Sequence, residues 1–195
     1  MEFADAVRHR RMVRRYTGDP VNFAAVERIL DLARRGPSAG FSQGVRFVVV
    51  TDPPTRRAIA RLCREPEYAG RGVVPWLSAA PVHVVVGVRP GDYAERYAEP
   101  DKAASRGPAG WDVPFWWVDA GAALMLLLLG VVDEGLGAGF IDVADPDGIR
   151  TLLGIPADVT LVGLVTVGHP ASEQPVGSAA RGRRPRGQVV HRERW

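Results

Sequence analysis

The apolar residues of this chain follow two different periods. Repeats at i, i+3, i+4 and i+7 predict amphipathic helices, and β-branched runs predict buried strands. Asn22 and Asp52 stand where helix N-caps are expected, and Gly36-Pro37 ends a helical pattern. The predicted order is a helix that starts near Phe3 and ends near Arg10–Tyr16, a helix from Asn22 to Gly36, a strand Val45–Thr51, a helix from Thr55 to about Glu65, a strand Val82–Val88, a helix Val118–Glu134, a strand entered at Phe140, a short helix Asp145–Leu153 and a strand Leu161–Val167.

Two segments lack either period. Pro37–Gly44 is turn-rich, with two glycines, a proline and two serines. The stretch from Arg89 to Pro114 is irregular and aromatic, and it leads into Phe115-Trp116-Trp117. A loop of this length in a compact domain is usually a lid, a binding loop or a locally disordered segment.

The predicted helix Val118–Glu134 is apolar nearly all round. Such a helix must be covered on several sides, either inside a domain or against a second subunit, and a dimer interface is the favoured interpretation. Its apolar stretch Ala120–Val132 is too short for a bilayer span, which needs roughly 20 residues. Helices that separate strands predict a mixed α/β or α+β architecture.

Composition restricts the class of protein. The 195 residues are 46% hydrophobic and 24% charged, which suits one globular domain, and no repeat or linker divides them. Cys63 is the only cysteine, so no intrachain disulfide is possible, and a reducing cytoplasm is the expected location. The N-terminal region has no long apolar run of the kind found in a secretory signal.

The positive charge is carried almost entirely by arginine. Lys102 is the only lysine, and the formal net charge is +3. Arginines cluster at both ends of the chain: Arg8, Arg10, Arg11, Arg14 and Arg15, then Arg181, Arg183, Arg184, Arg186, Arg192 and Arg194. Guanidinium groups match phosphate oxygens in a bidentate geometry, so nucleic acid, a membrane surface or a phosphorylated small molecule are all candidate partners. Nucleic acid is disfavoured because no aromatic residues are interleaved with the arginines.

A search for short catalytic motifs gives negative results. The four histidines, His9, His83, His169 and His191, lack metal-ligand spacing, and His83 is interpreted as a core residue of the strand Val82–Val88. There is no G-x-S-x-G elbow and no P-loop. Gly135, Gly137 and Gly139 alternate, but they follow a predicted helix. The glycines of a dinucleotide-binding fingerprint follow a strand, so this run does not match it. Chemistry is therefore expected to come from a bound cofactor.

Five motifs follow one another along nearly the whole chain. They are Arg10-Arg11-Met12-Val13-Arg14-Arg15-Tyr16, Pro37-Ser38-Ala39-Gly40-Phe41-Ser42-Gln43 before Arg46–Val49, Gly135–Asp142, Val167-Gly168-His169-Pro170 and Arg181-Gly182-Arg183-Arg184-Pro185. Together they resemble the nitroreductase family of flavin enzymes. The resemblance implies an α+β fold, with a central, mainly antiparallel sheet flanked by helices. It also implies a homodimer with two sites for flavin mononucleotide (FMN) at the subunit interface. Residues 1–195 would form one such domain, with 171–195 as an arginine-rich extension.

The resemblance also implies which residues bind FMN. Arg10 and Arg14 would hold the phosphate and ribityl chain together with Arg181 and Arg183. Backbone groups of Arg11 and Met12 would lie beside the phosphate. Ser38, Ala39 and Gly40 would pack against the flavin ring that is held mainly by the other subunit. Backbone groups of Ile141 and Asp142 would lie near the reactive nitrogen of the ring.

The chain departs from the family pattern at three positions. The family often has serine where Met12 stands, asparagine where Phe41 stands and tryptophan near Val45. These departures change the expected hydrogen bonds to the cofactor and the expected substrate more than the fold. Phe41 would stack near the ring or close the pocket.

The function implied is FMN-dependent oxidoreduction from NAD(P)H to an electron-poor acceptor such as a nitroaromatic or a quinone. No protein acid or base is obligatory, because the flavin ring carries the chemistry. Phe41, Tyr97 and Trp116 are the predicted substrate contacts. The alternatives are a flavin-sequestering protein without turnover and a relative that runs dehydrogenation, dehalogenation or flavin fragmentation. The choice between NADH and NADPH, and between FMN and a deazaflavin, stays open.

Overall fold

The computed structural model describes residues 1–173 and 178–195. At its centre is a four-stranded antiparallel sheet in the order β1-β2-β4-β3, with helices on both faces, so the predicted α+β architecture is confirmed. The strands are β1 (Val45–Val50), β2 (Val82–Val88), β3 (Gly137–Ile141) and β4 (Thr160–Gly168). The α-helices in this part of the chain are α1 (Phe3–His9), α2 (Phe23–Ala33), α3 (Pro53–Leu62), α4 (Glu65–Ala69), α5 (Pro90–Tyr97), α6 (Phe115–Asp133) and α7 (Pro146–Leu153).

Two hydrophobic cores lie on opposite faces of the sheet. Val84 and Val86 of β2 pack with α2 and α6, while Val85 faces the core that α3 and α7 cover. The sheet is therefore covered on both faces at β2, which is buried at every position. This explains its unbroken apolar sequence, because successive strand residues point to opposite faces.

Helix α6 crosses the first of these faces. It starts at Phe115 instead of the predicted Val118. Its 19 residues are long and apolar enough for a membrane span, and no other helix in the described residues is. The prediction that the apolar stretch is too short was therefore wrong as an argument from length. Packing supports a core helix instead, since α6 lies against α2 and the sheet, and Leu127 and Val131 are fully buried.

The prediction that 89–114 is irregular was wrong in part. Pro90 opens helix α5, and two 3₁₀ turns follow at Pro100–Lys102 and Pro108–Gly110. This short helix carries mostly polar residues and is held by tertiary contacts, among them the burial of Tyr93, which a periodicity search does not register. Helix α4 was also missed. Strand β3 begins at Gly137, three residues before the predicted Phe140, because pairing with β4 compensates for glycines that favour no strand on their own.

His83 lies in the interior of β2, as predicted. It is fully buried, and its Nε2 donates a hydrogen bond to the Leu77 carbonyl at 2.8 Å. The other ring nitrogen, Nδ1, is buried without a hydrogen-bond partner among the described residues. Burial lowers the pKa of His83 to about 4, because the charged ring would lose its hydration.

This lowered pKa predicts a pH-dependent stability. Between about pH 6.5 and pH 4 the unfolded chain binds the proton at His83 and the folded chain does not, so stability falls as the pH falls through that window. The full loss is about 3 kcal/mol, from about 1.4 kcal/mol per pKa unit. We expect His83→Gln, whose amide can still donate to Leu77, to show a shallower decline in urea unfolding between pH 7 and pH 4.5. Equal slopes for the two proteins would contradict this account.

Candidate functional site

The N-terminal arginine motif lies along strand β3. Met12 forms a parallel bridge with Ala138, and the Val13 amide donates to the Ala138 carbonyl at 2.8 Å. Further along, the Tyr16 hydroxyl lies 2.7 Å from Thr166 Oγ1 on β4. The motif is therefore fixed to the edge of the sheet, and the side chains on either side of these contacts have defined positions.

The alternating glycines of β3 make this contact close. A Cβ atom at Gly139 would lie 2.5 Å from both the Val13 carbonyl oxygen and the Trp76 ring, and one at Gly137 would lie 2.7 Å from the Val13 side chain. Larger residues would push the segment away. Gly137 and Gly139, which do not belong to a dinucleotide-binding fingerprint, thus allow the arginine motif to pack closely against β3.

Arg14, Ile141 and Asp142, three of the residues predicted to bind FMN, line one cavity. It has a volume of about 340 Å³, and Trp76 and Tyr68 form part of its wall. Such a volume falls in the range of about 300–1,000 Å³ usual for ligand pockets. The Arg14 guanidinium carbon lies 5.8 Å from the centre of the Trp76 ring, close enough for a cation–π contact that orients the charge at the cavity.

Arg10 offers a donor that the described protein atoms do not use. It caps the C-terminal end of α1, and its Nη1 is buried without a hydrogen-bond partner in the described part of the chain. A buried guanidinium nitrogen without an acceptor is costly, and an anion bound beside it would remove that cost. This unsatisfied donor fits the phosphate of a nucleotide cofactor.

Cys63 also lines the cavity with Arg14. Burial raises the pKa of its thiol to about 11, so the thiol is protonated at neutral pH. A protonated thiol is a poor nucleophile. Cys63 is therefore part of the cavity wall, and its chemistry does not suggest covalent catalysis.

Ser38, Ala39 and Gly40 are not among the residues that line the Arg14 cavity. Ser38 lines a different cavity, of about 150 Å³, and its Oγ accepts a hydrogen bond from the Gln43 amide. Gly40 has φ +62°, and Phe41 has φ +61° with 74% of its surface exposed. A bulky residue in the left-handed region is uncommon, and such strain often marks a functional loop.

This loop is held by residues of α5 and α6. Asp119 Oδ2 accepts from the Ala39 amide at 2.9 Å and from the Tyr93 hydroxyl at 2.8 Å. Arg96 Nε donates to the Gly40 carbonyl at 2.8 Å. The Tyr97 ring also packs on Gly40, where a Cβ atom would lie 2.8 Å from Tyr97 Cε2.

Tyr97 and Trp116, two of the three aromatic residues predicted to contact substrate, belong to one cluster. Trp111 is its centre: the ring centroids of Tyr97 and Trp116 lie 5.2 and 6.0 Å from its own. Phe115 and Tyr93 complete the cluster, in edge-on contacts. Tyr97 thus reaches the Gly40 loop, while Trp116 lies behind Trp111 and Tyr93.

The arginine-rich tail is described from Ser178 onward, and residues 174–177 of the predicted extension lie outside the described residues. Arg181 ends a 3₁₀ turn, and both Arg181 and Arg183 are exposed. No residue of the described tail lines the Arg14 cavity. Within one chain, therefore, the structure brings Arg14 together with Ile141 and Asp142 and leaves Ser38–Gly40 and the tail arginines apart from them.

Sequence reasoning missed the residues that hold the loop. Asp119, Tyr93 and Arg96 belong to segments interpreted as an apolar helix and an irregular stretch. One signal was present, because Asp119 is an acidic residue near the start of a long apolar run. A buried carboxylate in such a place requires partners.

Comparisons with known proteins show what this chain is similar to. Residues 7–169 match the family model described as "Nitroreductase family". The chain is 32% identical to NADH dehydrogenase of Thermus thermophilus over 84% of each protein, and 29% identical to 5,6-dimethylbenzimidazole synthase of Rhodospirillum rubrum over 88% of this chain and 83% of that protein. It shares its fold with a crystal structure of oxidized iodotyrosine deiodinase bound to FMN and 3-iodo-L-tyrosine, with a TM-score of 0.71, 21% identity and 99% of each chain covered.

Because Phe41 has a left-handed backbone conformation, we predict that a residue better suited to this conformation would stabilise the protein. An L-residue in this region costs about 1–2 kcal/mol, and asparagine tolerates it better. We expect Phe41→Asn to raise the free energy of unfolding by about 0.5–1 kcal/mol in urea titrations, since the ring is mostly exposed. Phe23→Asn, at an exposed position in the first turn of α2, should give no such gain, and a loss of stability in Phe41→Asn would refute the interpretation.

Proposed function

This chain belongs to the nitroreductase family of oxidoreductases, and on that basis we propose that it uses FMN to pass electrons from NAD(P)H to an electron-poor small molecule. Relatives named NADH dehydrogenase and FMN reductase [NAD(P)H] support a nicotinamide donor. The FMN-bound deiodinase of the same fold supports the cofactor. A nitroaromatic or a quinone is the acceptor class that we propose.

The observation that carries the proposal is the unsatisfied guanidinium of Arg10. Its buried Nη1 has no acceptor among the described residues, and the motif that contains it is tied to β3 beside the cavity of Arg14. A phosphate dianion is an acceptor suited to several convergent arginines. We propose that Arg10 and Arg14 hold the phosphate and ribityl chain, joined by Arg181 and Arg183 from the tail.

The remaining contacts follow from the same placement. Backbone groups of Arg11 and Met12 would lie beside the phosphate, and those of Ile141 and Asp142 would face the ring at the end of β3. The Ser38–Gly40 loop opens on a different cavity of the same chain, which supports packing against a ring held mainly by the other subunit.

The flavin, when bound, supplies the hydride and electron transfer itself. The protein orients the reactants, since holding an acceptor at close range to the ring lowers the entropic part of the barrier. Phe41 is exposed beside the loop and Tyr97 packs on Gly40, so both are suited to contact an acceptor. Trp116 packs against Trp111 in the aromatic cluster, and we propose that it acts on the acceptor through Trp111.

A homodimer is part of the proposal. Helix α6 leaves apolar side chains exposed in the single chain, including Trp117, Val118 and Met125, and Phe3 of the neighbouring α1 is 73% exposed. Apolar surface of this extent on a core helix is typical of subunit interfaces. Nucleic acid and membranes are not proposed as partners, and the cytoplasmic location expected from the single cysteine stays a prediction.

Two alternatives remain within the family. The relatives named 5,6-dimethylbenzimidazole synthase and iodotyrosine deiodinase run other chemistry on similar chains. A flavin-sequestering protein would bind FMN without turnover. Purified protein assayed with NADH and NADPH against a nitroaromatic and a quinone separates these possibilities, because only the proposed function gives turnover with such acceptors.

We expect FMN affinity to depend on Arg10. The protein should bind FMN with a yellow, structured absorbance band, and Arg10→Ala should weaken binding about 10- to 100-fold, because a charge-assisted hydrogen bond contributes about 1.5–3 kcal/mol. Arg8→Ala, at an exposed arginine that forms a salt bridge with Asp5, is the matched control and should bind as the wild type does. Colourless protein that stays colourless with excess FMN would end the proposal.

The tail arginines provide a second test. If Arg181 and Arg183 reach the phosphate, the double variant Arg181→Ala/Arg183→Ala should raise the Kd for FMN at least about tenfold. Arg192→Ala/Arg194→Ala removes the same charge from the end of the same exposed tail. Equal weakening by both pairs would assign the effect to net charge and contradict a specific contact.

A further inference from the structure

The position of Asp119 is unusual for a carboxylate. It lies in the first turns of α6, which is otherwise apolar as far as Asp133, and only 6% of its surface is exposed. Removing an ionised carboxylate from water is costly unless donors replace the lost hydration. Apolar packing of α6 does not favour a carboxylate at this position, so Asp119 needs hydrogen-bond donors from other elements.

Both hydrogen bonds recorded for Asp119 converge on one oxygen. Oδ2 accepts from the Ala39 amide at 2.9 Å and from the Tyr93 hydroxyl at 2.8 Å. Tyr93 is fully buried and lies on α5. The carboxylate thus joins the Ala39 loop, helix α5 and helix α6 through a single atom.

The loop on which these contacts act is strained. Gly40, Phe41 and Gln43 all have positive φ, and two of the three are not glycine. Such a conformation persists only where surrounding structure imposes it. The external restraints include the hydrogen bond from the Ala39 amide to Asp119, the bond from Arg96 to the Gly40 carbonyl and the packing of Tyr97 on Gly40. Arg46 also donates to the Gln43 carbonyl.

We propose that Asp119 is a positioning residue, which holds the loop of Ser38, Ala39 and Gly40 in the conformation that packs against the flavin ring. This inference rests on the proposed function, since the ring is the object that the loop contacts. The role assigned to Asp119 rests on its hydrogen bonds within the protein. Asp119 acts through the Ala39 amide, and Tyr93 fixes its carboxylate from the other side.

The test compares variants that keep or remove the acceptor oxygen. Asp119→Asn preserves a carbonyl oxygen for the Ala39 amide, while Asp119→Leu keeps the branched shape and the number of side-chain heavy atoms but has no acceptor. Val131→Ala, a fully buried position on the same helix, controls for a general loss of stability. The readouts are hydrogen exchange of the segment 37–44, the Kd for FMN by absorbance titration, and thermal stability.

We expect Asp119→Leu to exchange faster at 37–44 and to bind FMN about tenfold or more weakly, with a blurred flavin absorbance band. Asp119→Asn should stay within about threefold of the wild type. Val131→Ala should lose thermal stability and keep both the exchange of 37–44 and the FMN affinity. This pattern separates positioning of the loop from a merely structural role.

Several outcomes would overturn the proposal. They are an unchanged FMN Kd in Asp119→Leu, equal damage in Asp119→Asn, or the same FMN loss in Val131→Ala. If Asp119→Leu does not fold, Tyr93→Phe, which removes one donor to Oδ2, should raise exchange of 37–44 and the FMN Kd about two- to fivefold, and unchanged values would refute it. Failure of the wild type to bind FMN would overturn the proposed function as well, whereas normal FMN binding by both wild type and Asp119→Leu would overturn this inference alone.

Discussion

The contact between the N-terminal arginine motif and strand β3 is the constraint on which the candidate site depends. One parallel bridge, from Met12 to Ala138, fixes the motif along β3, and Arg14 lines the cavity at the end of β3 where Ile141 and Asp142 also lie. The contact is possible because Gly137 and Gly139 present bare backbone to Val13. Pairing with β3 thereby fixes the backbone of the arginine motif and so the positions from which its side chains can donate hydrogen bonds.

The candidate site is divided between two surfaces of one chain. Arg14 and the end of β3 line one cavity, while the loop around Ser38 lines another and is held from behind by α5 and α6. In the proposed homodimer, the ring would contact one of these surfaces from each copy of the chain. The exposed apolar side chains of α6 lie on the element that such a copy would cover, so the proposed dimer and the proposed cofactor site depend on the same helix.

Sequence patterns predicted the parts of the fold whose residues specify them locally. Strand β2 is an unbroken apolar run because both its faces are buried, and Asn22 caps α2 as predicted, accepting from the Ala24 amide. Helix α5 and strand β3 escaped this reasoning, since one is stabilised by tertiary contacts and the other is rich in glycine. The motifs for the arginine cluster and the turn-rich loop were found, but the residues that hold the loop were not. Asp119 and Ala39 are 80 residues apart, and no local period joins them.

The order in which the chain forms these contacts has a consequence for biosynthesis. Tyr16 is made early but bonds to Thr166, which is 150 residues further along. Contacts between such distant residues close slowly, because the intervening chain must first be ordered. During translation the N-terminal arginines therefore stay without their strand until β3 and β4 have been made, and a ligand held by these arginines, as proposed, would bind late in maturation.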